Sequence, residues 1–166
     1  VVVTREGRIV AKAHREHRTD TPHPGWVEHD ADGVWWADFL ALARELAPAA
    51  EGRLAGLGVS GIGPCLLPAD GAGRALRPAI LYGVDTRAGA EIAELTGELG
   101  AGEILRRGGT PLSSQAVGPK IRWLARHEPA VYERTELLLM ASSYLVHRLT
   151  GRYVLDHHSA SQCDPM

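Results

Sequence analysis

Residues 57–88, LGVSGIGPCLLPADGAGRALRPAILYGVDTRA, constrain the fold of this chain more than any other stretch. LGVS predicts an apolar strand, and it breaks at Gly61-Ile62-Gly63-Pro64. Two glycines around one bulky residue, followed by proline, let the backbone turn sharply and approach a ligand closely. CLLP and RPAILY then flank Asp70-Gly71-Ala72-Gly73, the pattern of a hairpin. The second arm delivers Tyr82, Asp85 and Arg87 toward a helix start. An aromatic face, a carboxylate and a guanidinium meet where a strand ends, which is where open α/β folds hold ligands. The expectation is that the turn after Ser60 and the tip bearing Tyr82 and Asp85 lie side by side, facing a cleft for a small-molecule ligand.

Composition narrows the function classes. A net charge of −2 with 23% charged residues carries neither a nucleic-acid footprint nor a polybasic membrane patch. No apolar run reaches the roughly 18–20 residues of a membrane span. The 166 residues suit one domain with a real core. Cys65 and Cys163 are too few and too far apart for a disulfide framework or a metal knuckle, so a reducing cytoplasm is expected. Eight histidines do not make a metal site either. In extended backbone His14 and His17 point to opposite faces, as do the neighbours His157 and His158.

Around the central stretch, residues 1–4 and 8–14 predict two strands about the turn Glu6-Gly7. Asp30 or Asp32 is placed to cap an amphipathic helix over about residues 33–47, with Trp35 and Trp36 divided between core packing and its rim. Helices are expected at about 86–95, closed by Thr96-Gly97, and at 120–127, with Pro119 in the first turn. A short helical piece starts at Ile104-Leu105, and one more turn covers 130–134. Residues 137–140 read as a buried strand, 144–149 as a helix capped by Ala141-Ser142-Ser143, and 153–155 as a last strand. The sum is a mixed α/β fold.

Four segments, in chain order, resemble the N-terminal domain of the FGGY family of carbohydrate kinases, its xylulokinase-like members especially. These are Pro24-Gly25-Trp26-Val27-Glu28-His29-Asp30 with Trp35-Trp36, and Gly58-Val59-Ser60-Gly61 with Leu66 to Asp70 and Arg77-Pro78-Ala79-Ile80-Leu81-Tyr82. Pro119-Lys120-Ile121-Arg122-Trp123-Leu124 with His127-Glu128-Pro129 is the third; Leu149-Thr150-Gly151 with Asp156 to Ser161 is the fourth. The resemblance implies a ribonuclease-H-like fold of the actin–hexokinase–chaperone superfamily, a mixed sheet flanked by helices and lacking its first strand. It implies ATP and Mg2+ as cofactors and a sugar or polyol as substrate, a ketopentose such as xylulose first among them. It also implies that residues 1–166 are a partial, sugar-binding N-terminal domain. The phosphate-contacting glycine loop would precede Val1. The second domain, with the aspartate that acts as general base, would follow Met166. No catalytic residue is therefore assigned within the chain, which alone is expected not to turn over.

The same resemblance assigns substrate contacts to Gly63, Pro64, Tyr82, Asp85 and Gln115. Tyr82 matches the family's arm-end aromatic, usually tryptophan, whose ring packs on a sugar C–H face; a core tyrosine is the plainer alternative. Asp85 matches the aspartate of an aromatic-x-aspartate-x-arginine motif, with one extra residue between. It either accepts sugar hydroxyls or caps the next helix and pairs with Arg87. Gly63 and Pro64 stand where xylulokinases carry methionine-histidine and glycerol kinases arginine-glutamate, a departure that counts most against glycerol. Gln115 takes the place of a substrate tyrosine in glycerol kinases and either bonds a hydroxyl or is a solvated loop residue. Lys120 is expected in a surface or interdomain salt bridge.

Two other functions fit the sequence: a catalytically inactive lobe that binds a sugar or a partner protein, and another superfamily member such as an acetate-type kinase or chaperone-like ATPase. The Pro-Gly-Trp and Leu-Thr-Gly segments weigh against the latter. Without a first strand the sheet would keep an open edge, so residues 1–166 expressed alone are expected to aggregate or pair edge to edge as a homodimer.

Overall fold

The computed structural model describes residues 1–163. Asp164-Pro165-Met166, from which no closing element is expected, lies outside them. Strands β1 (Val2–Val3) and β2 (Ile9–Ala11) form an antiparallel hairpin, with Gly7 at a φ of 85° in its turn. The next strand, β3 (Glu28–His29), lies inside the Pro-Gly-Trp segment, where no strand is expected. It pairs antiparallel with β5 (Ala79–Ile80), while β4 (Leu67–Ala69) pairs antiparallel with β6 (Leu137–Leu139). A bridge between Leu66 and Ile80 joins the two pairs, so the strands lie in the order β3–β5–β4–β6.

The expected hairpin is therefore present. Asp70 accepts the amides of Ala72 and Arg74 on one carboxylate oxygen, at 3.0 and 2.9 Å, and holds the turn between its arms. Residues 57–60, expected as a strand, run as coil with Leu57 exposed; among the described residues no strand lies alongside to complete a ladder. Residues 153–155 form no strand either. The Tyr153 hydroxyl donates to the Leu138 carbonyl at 3.0 Å, and Leu155 packs on the core.

Helices cover both sides of this layer. Asp30 caps a wide π-helical turn (Ala31–Trp36) by accepting the amides of Asp32 and Gly33, and α1 (Ala37–Leu46) continues it. Trp35 is buried and Trp36 stacks on Phe39 at the rim, as the sequence suggests. Helix α2 (Gly89–Leu99) starts later and runs further than expected, through Thr96-Gly97, whose threonine hydroxyl bonds back to the Ile92 carbonyl. Gly100, at a φ of 84°, is the break before α3 (Ala101–Gly108).

Helices α4 (Val117–His127), α5 (Pro129–Glu133), α6 (Ala141–Thr150) and α7 (His157–Ser161) follow. In α6 the Ser143 hydroxyl accepts the Met140 amide at 2.7 Å, so Met140 is the cap residue and Ser143 lies inside the first turn. Two clusters fill the interior: Leu67, Leu81, Leu139 and Tyr144 on one side, Leu66, Ile80, Trp123 and Leu124 on the other. Each such side chain contributes roughly 1.5–3 kcal/mol of burial. Among the described residues no helix is long and apolar enough to cross a membrane.

Candidate functional site

The end of β5 and the break after Ser60 come together. Gly63 has no side chain where the Tyr82 ring arrives: a Cβ there would lie 2.7–2.8 Å from three ring carbons. Gly61 presses on the start of α6, where its Cβ would meet that of Ala141 at 3.1 Å. Pro64 and Cys65 are buried behind the turn, and Tyr82 is half-buried above it. The turn and the aromatic tip thus lie side by side, because a bare glycine lets a ring rest on backbone.

The loop before α4 closes on the same tip. Gly83, at a φ of 73°, donates its amide to the Ser114 carbonyl at 3.2 Å and accepts the Ser114 hydroxyl at 2.7 Å. Gln115 follows, exposed, with its Cγ 3.8 Å from where a Gly83 Cβ would stand. A cavity of about 450 Å3 opens beyond it, lined in part by Leu99, Ile104, Leu112, Gln115 and Gln162. It reaches the tip at Gln115; Gly63, Pro64, Tyr82 and Asp85 do not line it. Of the five residues assigned to a substrate, Gly63, Tyr82 and Gln115 therefore meet around one ridge, and Pro64 lies under it.

Asp85 sits below, only 1% exposed. One oxygen accepts the Val27 amide at 2.7 Å, the other accepts the Arg87 amide at 3.1 Å, and the Arg87 guanidinium bonds to both. A direct bond to a sugar hydroxyl needs an oxygen open to solvent, and both are enclosed here. Pairing with Arg87 is present, whereas α2 starts at Gly89 without a side-chain cap. Arg87 is itself enclosed: its guanidinium carbon lies 4.0 Å from the Trp26 ring centroid and 5.0 Å from that of Trp123, and it reaches Glu28 at 2.7 Å. Glu28 also pairs with Arg77. Two buried carboxylates and two guanidiniums thus weld the Pro-Gly-Trp segment to the arm that ends in Tyr82. Burial pulls the Arg77 pKa below its usual value.

Lys120 is not on the surface. It is 1% exposed, and its Nζ donates to the Leu81 carbonyl at 2.9 Å. Burial lowers its pKa to about 8, against the pull of Cys65 and Asp85. The Cys65 thiol is pushed up to about 11, again by burial. The expected surface or interdomain salt bridge of Lys120 is thus replaced by a buried bond to backbone, and the Ser114 latch is unexpected. A signal existed for the lysine: Val117, Lys120 and Leu124 share one helix face, and a lysine inside an apolar stripe is a buried lysine. No periodicity marks Ser114.

Among the described residues no three His, Cys, Asp or Glu side chains gather to hold a metal ion. The arrangement offers an aromatic face, an amide side chain and a backbone ridge.

Comparison with known proteins finds relatives over nearly the whole chain. The model of the FGGY family of carbohydrate kinases, N-terminal domain, matches residues 1–166. A glycerol kinase of Nocardia farcinica is 34% identical over 169 residues, covering 98% of this chain and 34% of the relative. A xylulose kinase of Klebsiella pneumoniae is 30% identical over 163 residues, covering 97% and 33%. The crystal structure of xylulose kinase from Rhodospirillum rubrum superposes with a TM-score of 0.90 at 35% identity, over 97% of this chain and 33% of that one. The chain thus spans about a third of the length of the relatives it matches. Its α/β architecture is theirs, with the actin–hexokinase type of fold. By sequence match and by superposition alike, this chain belongs to the FGGY family of carbohydrate kinases.

Proposed function

We propose that the complete protein carrying this chain transfers the terminal phosphoryl group of ATP to a hydroxyl of a sugar or polyol, with a ketopentose such as xylulose as the preferred acceptor. Residues 1–166 supply the sugar-facing lobe as a partial N-terminal domain. The observation that carries this reading is the seating of Tyr82 on Gly63 beside Gln115, in a chain whose relatives are glycerol and xylulose kinases.

Phosphoryl transfer needs a held acceptor hydroxyl, a base and cations around the phosphates. This chain's residues serve the first need. The Tyr82 ring offers a flat apolar face for sugar C–H groups, and the Gln115 amide can donate to one hydroxyl and accept from another. Gly63 and Pro64 give a ridge without charged side chains, which leaves a compact triol few strong bonds and favours a longer acceptor. Asp85 serves the site by holding the backbone that presents Tyr82. ATP, Mg2+ and the general base are assigned to the remainder of the complete protein. The reading places the protein in the cytoplasm, with a small-molecule substrate and no nucleic-acid or membrane partner.

The test is a coupled assay and a thermal-shift screen of the complete protein, with ATP and Mg2+, against ketopentoses, ketohexoses, polyols and aldonates. Turnover greatest on a ketopentose is expected, together with stabilisation of about 2.7 kcal/mol at 100 times Kd. A thermal shift without turnover would support the inactive sugar-binding lobe instead. Neither turnover nor shift with any compound would end the reading.

A further inference from the structure

Tyr82 can rest on Gly63 only while the Leu81–Tyr82 peptide is held, and at that point the strand has run out. The ladder of β5 stops at Ile80; Leu81 donates its amide to the Val27 carbonyl at 3.0 Å. Among the described residues no strand amide reaches the Leu81 carbonyl, and Lys120 supplies a donor from α4 at 2.9 Å. Nearby, the Cys65 thiol donates to the Gly63 carbonyl at 3.4 Å. The peptide is thus held at its carbonyl by Lys120, beside a thiol that bonds to the residue the tyrosine ring covers.

We propose that Lys120 is a positioning residue for the acceptor sugar: its ammonium fixes the Leu81–Tyr82 peptide, and so the ring on which the sugar rests. The proposal rests on the kinase reading above. A methionine or leucine would fill the same space on α4 without a desolvated charge, and replacing a buried charge by an apolar group often leaves stability unchanged or raises it. A lysine at this place therefore serves order at the tip better than it serves the core. Its charged form makes a hydrogen bond roughly twice as strong as a neutral donor does. The groups facing the ammonium are Cys65 from the first hairpin arm, and Asp85 and Arg87 from the turn after β5. With its proton lost near pH 8, Lys120 holds the carbonyl less firmly and the tip loosens.

The test uses the complete protein as wild type, K120M and K120R, with KM and kcat for the best acceptor followed from about pH 6.5 to about pH 9.5. Amide hydrogen exchange across residues 79–85 is measured at a fixed pH. K120M is expected to raise KM about 10-fold with kcat within about two-fold, and to speed exchange at the Tyr82 amide about 10-fold. The wild-type KM should climb as pH passes about 8, and K120R, which keeps its charge, should flatten that climb. A K120M enzyme with unchanged KM, or unchanged exchange at Tyr82, overturns the proposal. Should K120M not fold, a wild-type KM that is flat between about pH 7 and about pH 9 overturns it equally. Absence of turnover on every acceptor would instead strike the kinase reading, which separates the two failures.

Discussion

The Tyr82 ring rests directly on the backbone of Gly63: a Cβ on that glycine would lie 2.7 Å from the ring Cδ1 and 2.8 Å from Cε1 and Cγ. The constraint is steric, since three ring atoms are met at once and no flexible chain end can swing aside. Gly63→Ala should therefore push the ring off its seat, cost about 1–3 kcal/mol, and raise KM for the acceptor. Denaturant melts and steady-state kinetics of the single and double variants check this. With Tyr82→Ala alongside, the two changes should couple by about 0.5–3 kcal/mol. Simple additivity would show that the contact carries no energy.

Asp85 and Arg87 make the opposite kind of contact, charged and sealed. Asp85→Asn keeps the shape of the side chain but leaves the Arg87 guanidinium, 0% exposed, facing one carboxylate in place of two. Breaking a buried pair from one side costs about 3–5 kcal/mol. The urea midpoint should fall with its slope unchanged. A full-strength midpoint combined with weakened sugar binding would return Asp85 to direct substrate contact.

Much of this was legible from residue order. The hairpin around Asp70, the Asp30 cap, and the meeting of the Gly61-Ile62-Gly63-Pro64 turn with Tyr82 all follow from local rules of turns, caps and strand ends. The strand expected at 57–60 did not form, because an apolar run signals burial but not the neighbour that must supply its ladder. Strand β3 was missed since a two-residue strand has no period to read. The burial of Asp85 and Lys120 depended on long-range geometry. Asp85 is bonded to Val27, 58 residues away, and Lys120 to Leu81, 39 residues away. A local pattern offers Asp85 its Arg87 partner and sets Lys120 on an apolar helix face; the bonds to Val27 and Leu81 need the packed structure.

Stability should depend on pH through the buried pair beneath the tip. The Lys120 pKa is lowered from 10.5 to about 8 in the folded state. Between those values the unfolded chain binds a proton that the folded chain does not, so stability rises with pH in that window. Cys65 acts with the opposite sign. Its pKa is raised from 9.0 to about 11, so across that range the folded thiol keeps a proton the unfolded chain loses, and stability falls. The net rise is therefore confined to about pH 8–9, with a slope of at most about 1.4 kcal/mol per pH unit. Chemical denaturation of wild type and K120M across this range should show the rise in the first and its loss in the second. Parallel curves for the two proteins would mean that Lys120 does not titrate there.

Ser114 and Gln115 are neighbours with separable jobs. Gln115 is exposed, and no hydrogen bond from its side chain to another described residue enters the fold, so Gln115→Ala should leave stability within about 0.5 kcal/mol. If its amide bonds a sugar hydroxyl, KM should rise about 3- to 10-fold, the worth of one neutral hydrogen bond. Ser114 instead latches the loop to the tip through its 2.7 Å bond to the Gly83 carbonyl. Ser114→Ala removes that bond from a part-buried site and should cost about 1 kcal/mol. It should also raise KM, because the loop carrying Gln115 loses its register against Tyr82. Melting curves and KM for both variants distinguish the roles: the serine moves both quantities, the glutamine KM alone. A glutamine variant with unchanged KM would leave Gln115 a solvated loop residue and shift the hydroxyl contacts to the backbone of the Gly63 turn.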